Sequence, residues 1–323
     1  MEESKIKDKH YNGYETIIIG GGPAGLTAGI YLSRARVSAL LLEKGLPGGQ
    51  ANLTEMIENY PGFPDGIIGP ELMQQFVSQA SRFGLKIENN DVLEILSTDQ
   101  HGKSLFQVKT ELTQYSAESI IIASGAQASK LGIPGEKEYT GRGVSYCGTC
   151  DGAFFREKDI IVVGGGDTAI EESLFLTKFA RKVYIVHRRD KLRATKILQE
   201  RAFANDKIEI IWDSIVLEIK GNNKVEKVLL KNVKKNQERD FSCQGVFIFT
   251  GYTPSYPSLG SFHGKLVNDK GYITTDEDMK TKVDGIYACG DVRAKKLRQV
   301  VTACGEGAIA AFSVEKYLEY LKN

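Results

Sequence analysis

The sequence has few cysteines, almost no net charge and no long apolar segment, and each shortage excludes a class of protein. Five cysteines in 323 residues are too few and too scattered for the disulfide framework of a small secreted domain. With 42 Lys and Arg residues against 41 Asp and Glu residues, the chain has no overall field that would attract nucleic acid or an anionic membrane. No apolar run approaches the ~20 residues that span a bilayer. The polar N-terminus lacks the apolar core of a signal peptide, which predicts a cytoplasmic protein.

A strand, a glycine-rich loop, a helix and a second strand follow one another near the N-terminus. A β-branched run at 15–20 predicts a buried parallel strand, and the loop GGGPAG at 20–25 follows it. A helix is predicted at 23–34 and a second strand at 37–42, ending at Glu43. This is the beginning of a dinucleotide-binding βαβ unit.

The same order recurs in the middle of the chain. A strand at 159–164 leads into the loop GGGDTA at 164–169, a helix at 167–178 and a strand at 182–186 that ends at His187. Counted from the first loop glycine, the residue that closes the second strand follows after 23 positions in both copies (43 − 20 and 187 − 164). The equal spacing indicates an internal duplication.

Further along the chain, both halves have a strand that ends in glycine, at 120–125 and 246–251. A short strand at 285–288 and a helix at 305–320 complete the chain. The predicted fold is α/β, with two Rossmann-like, three-layer ββα dinucleotide-binding domains, the second inserted into the first. We expect the first domain to comprise 1–128 and 257–323, the second 129–256, and the crossings to lie near 127–131 and 252–258.

The two loops differ in the residue that ends the second strand. In the first copy, Glu43 can accept hydrogen bonds from ribose hydroxyls and would repel a 2′-phosphate, which favours FAD or NAD over NADP. In the second copy, His187 is followed by Arg188, Arg189 and Arg193, a set suited to a 2′-phosphate and therefore to NADPH. A solvated basic face, with NADH as the cofactor, is the alternative.

Cys147 and Cys150 form the motif CGTC, and a dithiol of this spacing can take up or release two electrons. The alternative is half of a zinc site, which needs two further ligands that the sequence does not offer at suitable spacing. Asp151 could donate a proton to the thiolate that disulfide reduction releases, or it could cap a helix. The remaining cysteines are expected to be buried small hydrophobes; they are Cys243, Cys289 and Cys304.

In order, spacing and content, these motifs resemble those of bacterial low-molecular-weight thioredoxin reductases along essentially the whole chain. The matching segments are GGGPAGLTAGIY (20–31), GGQ (48–50), ENYPGF (58–63), VSYCGTCDGAFF (144–155), VVGGGDTAIEES (162–173), HRRDKLRA (187–194) and ACGDVRAKKLRQVVTACGEGAIAA (288–311). The resemblance implies a homodimeric thioredoxin-disulfide reductase that passes hydride from NADPH to FAD, then reduces the Cys147–Cys150 disulfide, then thioredoxin. Ser124 and Asp167 are small departures from the usual pattern.

The resemblance also implies the residues of each site. Cys147 would attack thioredoxin, Cys150 would lie against the flavin, and Asp151 would donate the proton. The residues implied for FAD are Gly20, Gly22, Pro23, Ala24, Gly25, Glu43, Lys44, Gly49, Gln50, Asn59, Val92, Gly125, Asp291, Arg298, Gln299 and Val300. Those implied for NADPH are Gly164, Gly166, Asp167, Thr168, Ala169, His187, Arg188, Arg189 and Arg193.

Three alternatives to this function remain open at the level of sequence. The first is a flavin disulfide reductase for a different thioredoxin-like or peroxiredoxin partner. The flavoprotein of alkyl hydroperoxide reduction has an extra N-terminal thioredoxin-like portion, and the segment of about 14 residues before the first strand here disfavours that alternative. The second is a ferredoxin-driven relative, which the arginines after the second loop disfavour. The third is a redox-sensing flavoprotein without catalysis, which the intact CGTCD motif disfavours.

Overall fold

The chain folds into two compact units. The computed structural model describes residues 13–54, 56–100 and 103–323, without the side chains of residues 99, 100, 103, 104 and 150. One unit comprises the chain up to Ala126 and from Pro254 onward, and the other spans Gln127–Thr253. The first unit is therefore interrupted in sequence by the second. Within the described ranges, no helix combines the length and the apolar character needed to cross a bilayer.

The helices and strands follow in chain order. Up to the first crossing they are β1 (Gly13–Ile19), α1 (Pro23–Arg34), β2 (Ala39–Glu43), α2 (Gly69–Arg82), β3 (Lys86–Asn89), β4 (Val92–Gln100), β5 (Lys103–Thr110), β6 (Gln114–Ile122) and β7 (Ala126–Ala128). The inserted unit contains β8 (Val144–Ser145), α3 (Gly148–Asp151), β9 (Asp159–Gly164), α4 (Asp167–Leu176), β10 (Lys182–Val186), α5 (Lys196–Phe203), β11 (Ile208–Ile211), β12 (Ser214–Gly221), β13 (Val225–Asn232), β14 (Gln237–Ser242) and β15 (Gly245–Phe249). The chain returns through β16 (Tyr252–Pro254), α6 (His263–Leu266), β17 (Ile286–Ala288) and α7 (Val300–Lys322).

The first unit is built on a parallel sheet in the order β3-β2-β1-β6, with β17 beside the C-terminal half of β6 and the antiparallel strands β5 and β4 beside its N-terminal half. Both faces of this sheet are covered. Ile18 packs in a core with α1, α2 and α7, while Ile17 and Ile19 pack in a second core with residues of β4 and β5. Burial on both faces explains why the strand reads as an unbroken apolar run.

The inserted unit repeats this plan. Its parallel sheet has the order β11-β10-β9-β15-β8, and β12, β13 and β14 form a separate antiparallel sheet. In the first unit, the strand before the glycine loop, β1, lies between β2 and β6. In the inserted unit, the corresponding strand, β9, lies between β10 and β15. This is the position at which α/β sheets bind ligands, outside the carboxyl ends of the strands. The predicted α/β fold with two dinucleotide-binding units is confirmed.

Several predicted boundaries shift for local reasons. The strand predicted at 37–42 begins at Ala39, because Arg36 has φ 62° and the Val37 N–H still donates to Leu32 in the turn that ends α1. The last helix begins at Val300 rather than 305. Its start is set by a capping box in which Gln299 and Thr302 bond each other's backbone N–H groups.

The two crossings between the units pair with each other. Strands β7 and β16 form a two-stranded sheet, and Ser129 N–H donates to the Gly251 carbonyl at 2.9 Å. On the other side, Ser255 N–H donates to Gly125 at 3.0 Å and the Ser124 hydroxyl donates to the Ser255 carbonyl at 2.5 Å. Ser124, a departure from the usual pattern, thus helps to join the two crossing segments.

Helices α1 and α7 approach closely at Gly307. A Cβ placed on Gly307 would lie 2.2 Å from the carbonyl oxygen of Ala24, in the first turn of α1, whereas a Cβ on Gly305 would meet nothing within 4 Å. We expect Gly307→Ala to lower the free energy of unfolding by about 1–3 kcal/mol, because the helices must separate. Gly305→Ala, the matched control in the same helix, should instead raise it by about 0.5–1 kcal/mol. Urea denaturation measures both, and equal effects would contradict the packing argument.

Candidate functional site

The first glycine loop connects β1 to α1 and leaves the N-terminus of that helix open to a ligand. Gly20 and Gly25 are required by close packing, since a Cβ on Gly25 would lie 1.9 Å from the Gly20 carbonyl oxygen. Gly22, the N-cap, faces open space, and no side chain caps the helix. Pro23 occupies the first turn, where its missing N–H costs nothing. Unpaired N–H groups, a positive helix end and open space above a glycine suit a pyrophosphate.

Glu43 is held beside this loop by the backbone. Its carboxylate accepts hydrogen bonds from Gly21 N–H at 2.7 Å and from Gly45 N–H at 3.1 Å. A side chain at position 21 would crowd Glu43, because a Cβ there would lie 3.2 Å from the Cβ of Glu43. A carboxylate fixed at a strand end beside a phosphate-binding loop is suited to accept hydrogen bonds from the hydroxyls of a ribose.

A second segment is brought to the same loop from the chain after β2. Gly48 N–H donates to the Gly21 carbonyl at 2.7 Å, and a Cβ on Gly49 would lie 3.3 Å from the Cα of Gly22. Gln50 follows, exposed, in a short 3-10 helix at Gly49–Leu53. Lys44, directly after Glu43, is also exposed. The structure thus gathers Glu43, Lys44, Gly49 and Gln50 around the first glycine loop.

Residues from the C-terminal part of the chain reach the same sheet edge. Strands β6 and β17 are parallel neighbours that end at Ile122 and Ala288, so Gly125 and Asp291 follow strands that end at the edge where Gly20 follows β1. The side-chain amide of Asn59 donates to that of Gln299 at 2.9 Å, although 240 positions separate them. Two of the residues that the resemblance implies for FAD are therefore in direct contact.

The remaining FAD predictions have different surroundings. Arg298 lies over the Tyr272 ring at 4.4 Å and donates to the Lys295 carbonyl at 3.3 Å, so its guanidinium braces the loop before α7. Val300 is the first residue of α7. Val92 is 8% exposed and its side chain packs in a core cluster, so only its backbone is suited to contact a ligand.

The second glycine loop repeats the geometry of the first. A Cβ on Gly164 would lie 2.6 Å from the Cβ of Ala169, which stands where the first loop has its last glycine. Gly166 is the N-cap of α4, faces open space and receives no side-chain cap. The Asp167 carboxylate accepts a hydrogen bond from the Thr195 N–H at 2.6 Å. Thr168 lies in the first turn of the helix.

His187 lies against this loop with its ring turned inward. The side chain is buried, and a Cβ on Gly165 would lie 2.3 Å from its Nδ1. Its Nδ1 lies 3.0 Å from the Gly164 carbonyl oxygen and its Nε2 lies 3.0 Å from that of Lys191. The imidazole thus joins the glycine loop to the basic segment, and its assignment as a phosphate ligand stays a prediction.

The three arginines of the basic segment are exposed. In the ranges that the structure describes, no carboxylate forms an ion pair with Arg188, Arg189 or Arg193. The Arg193 N–H donates to the Gly165 carbonyl at 2.7 Å, which holds the segment against the loop. Arg181, at the opposite end of β10, is instead paired with Asp159 at 2.5 Å. The guanidinium groups nearest the glycine loop are therefore the ones that can bind an anion.

Burial lowers the pKa of His187, and the charges of Arg193 and Arg189 lower it further against the opposing effect of its two backbone hydrogen bonds. The unfolded chain therefore binds the proton more readily than the folded chain. The contribution of His187 to the free energy of unfolding is fully present above pH 6.5, the ordinary pKa of histidine, and is lost as the pH falls below it. We expect His187→Gln to reduce the difference between urea midpoints measured at about pH 7.5 and about pH 5.5. The exposed His263→Gln is the control, and an unchanged difference in His187→Gln would contradict this account.

The CGTC motif forms a turn of helix, α3, which packs on α4. Cys147 is in a disulfide, and its N–H donates to the Ser145 hydroxyl at 3.1 Å. The side chain of Cys150 lies outside the described part of the structure. A Cβ on Gly148 would lie 2.2 Å from the Oε2 of Glu172, so this carboxylate would have to move to admit a side chain there. Asp151 ends α3 and precedes a 3-10 helix that its side chain does not cap, so the capping alternative is not realised.

The other three cysteines carry free thiols. Cys243 and Cys289 are fully buried, as predicted; burial raises the pKa of Cys243 to about 12 and also raises that of Cys289. Cys304 is only half-buried, with its Sγ 4.0 Å from the Tyr60 hydroxyl, so the prediction of burial holds for it in part. Burial also raises the pKa of Cys304, which makes its thiolate scarce.

Sequence reasoning missed a group of buried charges beside Asp291. Lys295 pairs with Asp291, and Glu306 pairs with both Lys295 and Arg293; the side chains of Arg293, Lys295 and Glu306 are 14%, 7% and 12% exposed. The sequence does contain an indication of this group, because Glu306 is the lone charge in the run ACGEGAIAA near the start of α7. A charge among small residues on a packed helix face requires a buried partner.

Comparisons with known proteins agree with this geometry. Residues 14–307 match the model of the pyridine nucleotide-disulphide oxidoreductase family. The chain is 49% identical to a thioredoxin reductase of Bacillus subtilis over 100% of its own length and 98% of the relative's. The solved thioredoxin reductase of Lactococcus lactis matches with a TM-score of 0.91 at 47% identity, covering 95% and 99% of the two chains. That of T. acidophilum matches with a TM-score of 0.88 at 32% identity, covering 94% and 98%.

Proposed function

The chain belongs to the pyridine nucleotide-disulphide oxidoreductase family, and within it we propose that the protein is an NADPH-dependent thioredoxin-disulfide reductase that carries FAD. The observation that supports this most strongly is the similarity to thioredoxin reductases at about half identity over the whole chain. Two glycine-loop cradles and the disulfide of Cys147 supply the parts that such a reaction requires.

FAD belongs to the first unit in this proposal. The cradle fits a pyrophosphate at the N-terminus of α1, with Gly22 facing open space, and Glu43 suits the adenosine ribose. When bound, FAD accepts hydride from NADPH and delivers two electrons to a disulfide. The residues proposed to hold it are Gly20, Gly22, Pro23, Ala24, Gly25, Glu43, Lys44, Gly49, Gln50, Asn59, Val92, Gly125, Asp291, Arg298, Gln299 and Val300.

NADPH belongs to the second unit. The N-terminus of α4 suits its pyrophosphate, and the exposed guanidinium groups of Arg188, Arg189 and Arg193 suit its 2′-phosphate. The rest of the proposed set is Gly164, Gly166, Asp167, Thr168, Ala169 and His187. Asp167 and His187 support the site through protein contacts: Asp167 hydrogen-bonds the backbone of Thr195, and His187 hydrogen-bonds the backbone of Gly164 and Lys191.

The dithiol carries out the exchange with thioredoxin. The Cys147 thiolate attacks one sulfur of the thioredoxin disulfide, forming a mixed disulfide and releasing the other sulfur as a thiolate, which takes a proton from Asp151. The Cys150 thiolate then attacks the Cys147 sulfur, which restores the Cys147–Cys150 disulfide and releases reduced thioredoxin. Each cycle consumes two electrons and two protons.

A homodimer in the cytoplasm completes the proposal. Helix α7 exposes apolar side chains, with Phe312 59%, Ile309 41% and Val301 40% exposed, and such side chains are suited to an interface between two copies. Cytoplasmic conditions keep thiols reduced, which is the environment that a thioredoxin reductase maintains. Sedimentation of the purified protein measures the assembly.

Anaerobic NADPH oxidation by the purified yellow protein, with oxidised thioredoxin added, tests the function. Turnover that depends on thioredoxin is expected. If NADPH bleaches the flavin but thioredoxin gives no turnover, the electron relay stands and the partner is a different thioredoxin-like protein or a peroxiredoxin. If only NADH or reduced ferredoxin supports the reaction, the assignment of NADPH to the second unit is wrong.

A further inference from the structure

Four charged side chains of the first unit form one buried network. Glu306 Oε1 lies 3.0 Å from an Arg293 guanidinium nitrogen, and Glu306 Oε2 lies 3.3 Å from Lys295 Nζ. Lys295 Nζ lies 3.2 Å from Asp291 Oδ1. Two positive and two negative charges therefore compensate one another, and of the four side chains only Asp291 is more than 14% exposed.

Glu306 is the centre of the network. In addition to both cations, its carboxylate accepts the Gly290 N–H at 2.8 Å, which fixes the turn that carries Asp291. A buried carboxylate costs several kcal/mol unless it is paired and hydrogen-bonded, and here both carboxylate oxygens of Glu306 have partners. With both oxygens paired, the Glu306 carboxylate is held in one position between the two cations and the Gly290 turn.

The network adjoins the predicted pyrophosphate site. Gly290 has φ 77°, and a Cβ there would lie 2.9 Å from the Cβ of Ala24 in the first turn of α1. Gly307, next to Glu306, is the residue that packs on the Ala24 backbone. The turn after β17, the start of α7 and the N-terminus of α1 therefore meet where Glu306 lies.

Asp291 is held by charge and remains partly open. Its Oδ1 is buried and has no hydrogen-bond partner among the described residues, so the ion pair with Lys295 is what orients it. Its side chain is 33% exposed, which leaves the carboxylate accessible to a ligand. Without Lys295 and Glu306, the carboxylate would be free to rotate toward solvent.

We propose that Glu306 and Lys295 are positioning residues that aim the Asp291 carboxylate at FAD and so determine how tightly the flavin is held. This inference rests on the proposed assignment of FAD to the first unit. Neither residue needs to contact the flavin. Their action passes through Asp291 and through the Gly290 turn.

The first test is the affinity of the apoprotein for FAD, measured by titration with flavin fluorescence. Glu306→Gln removes the negative charge that pairs with Arg293 and Lys295. We expect the dissociation constant for FAD to rise about 10- to 100-fold, the effect typical of residues that orient a direct ligand of a bound group. Glu319→Gln is the matched control. It removes an ion pair of 2.8 Å with Lys316 in the same helix, where both side chains are more than half exposed, and should change the affinity less than about twofold.

A double-mutant cycle with Asp291→Asn separates positioning from general stabilisation. If Glu306 acts through Asp291, the effect of Glu306→Gln should fall below about threefold in the Asp291→Asn background. Additive effects would overturn the proposal. Should Glu306→Gln fail to fold, Glu306→Asp keeps the charge but shortens the side chain, and we expect it to weaken FAD binding about two- to tenfold; unchanged affinity there would also overturn the proposal. A wild-type protein that binds no FAD would instead refute the proposed function.

Discussion

Replacing Cys147 with serine is expected to abolish thioredoxin-dependent NADPH oxidation while NADPH still bleaches the flavin. A serine hydroxyl cannot form the mixed disulfide, so the exchange with thioredoxin has no first step. Loss of a nucleophile of this kind lowers turnover by at least about a thousandfold. The stopped-flow flavin absorbance and the steady-state assay with thioredoxin measure the two halves of the reaction separately.

Cys304→Ser is the matched control for this experiment. It makes the same chemical change at a half-buried thiol whose pKa is raised by burial and which the proposed exchange does not use. Turnover with thioredoxin should stay within about twofold of the wild type. Equal losses in the two variants would show that Cys147 is not the attacking thiol, and retained turnover in Cys147→Ser would refute the dithiol mechanism altogether.

Replacing the arginines that follow His187 is expected to remove the preference for NADPH over NADH. Arg188, Arg189 and Arg193 are exposed and lie beside the second glycine loop, where each could donate charge-assisted hydrogen bonds to a 2′-phosphate. Such bonds contribute about 1.5–3 kcal/mol each, so each change to alanine should raise the KM for NADPH about 10- to 100-fold. The KM for NADH, which lacks the phosphate, should hardly change.

Arg181→Ala is the control for the arginine series. Its guanidinium pairs with Asp159 at the opposite end of β10, so its loss should alter neither KM. A rise in both KM values in the Arg188, Arg189 or Arg193 variants would mean that the substitutions disturb the fold of the loop. An unchanged KM for NADPH in all three would place the 2′-phosphate elsewhere or make NADH the natural cofactor.

Much of the fold and of the candidate site could be predicted from local patterns. The helix Pro23–Arg34 and the strands Asp159–Gly164 and Lys182–Val186 have the bounds that periodicity predicts. Glycine positions were equally informative, because a tight turn and a close helix–strand contact each admit only small residues. The repeated spacing from loop to strand end predicts the duplication from the sequence alone.

Boundaries that depend on the turns between elements were less predictable. The start of α7 at Val300 depends on reciprocal hydrogen bonds between Gln299 and Thr302, and the start of β2 depends on the left-handed conformation of Arg36. A hydrophobic pattern does not contain this information, since it reports which residues are buried and not how the chain enters an element.

The sequence by itself determined the kinds of chemistry available to this protein: two phosphate-binding loops, a carboxylate at one strand end, guanidinium groups at the other, and a dithiol. Only the tertiary structure decided which partners the side chains contact. His187 turns inward to Gly164 and Lys191, Asn59 meets Gln299 across 240 positions, and Glu306 gathers Arg293, Lys295 and the Gly290 turn. The physical reason is that local periodicity records whether a side chain is buried, whereas its partner is chosen by the packing of segments far apart in the chain.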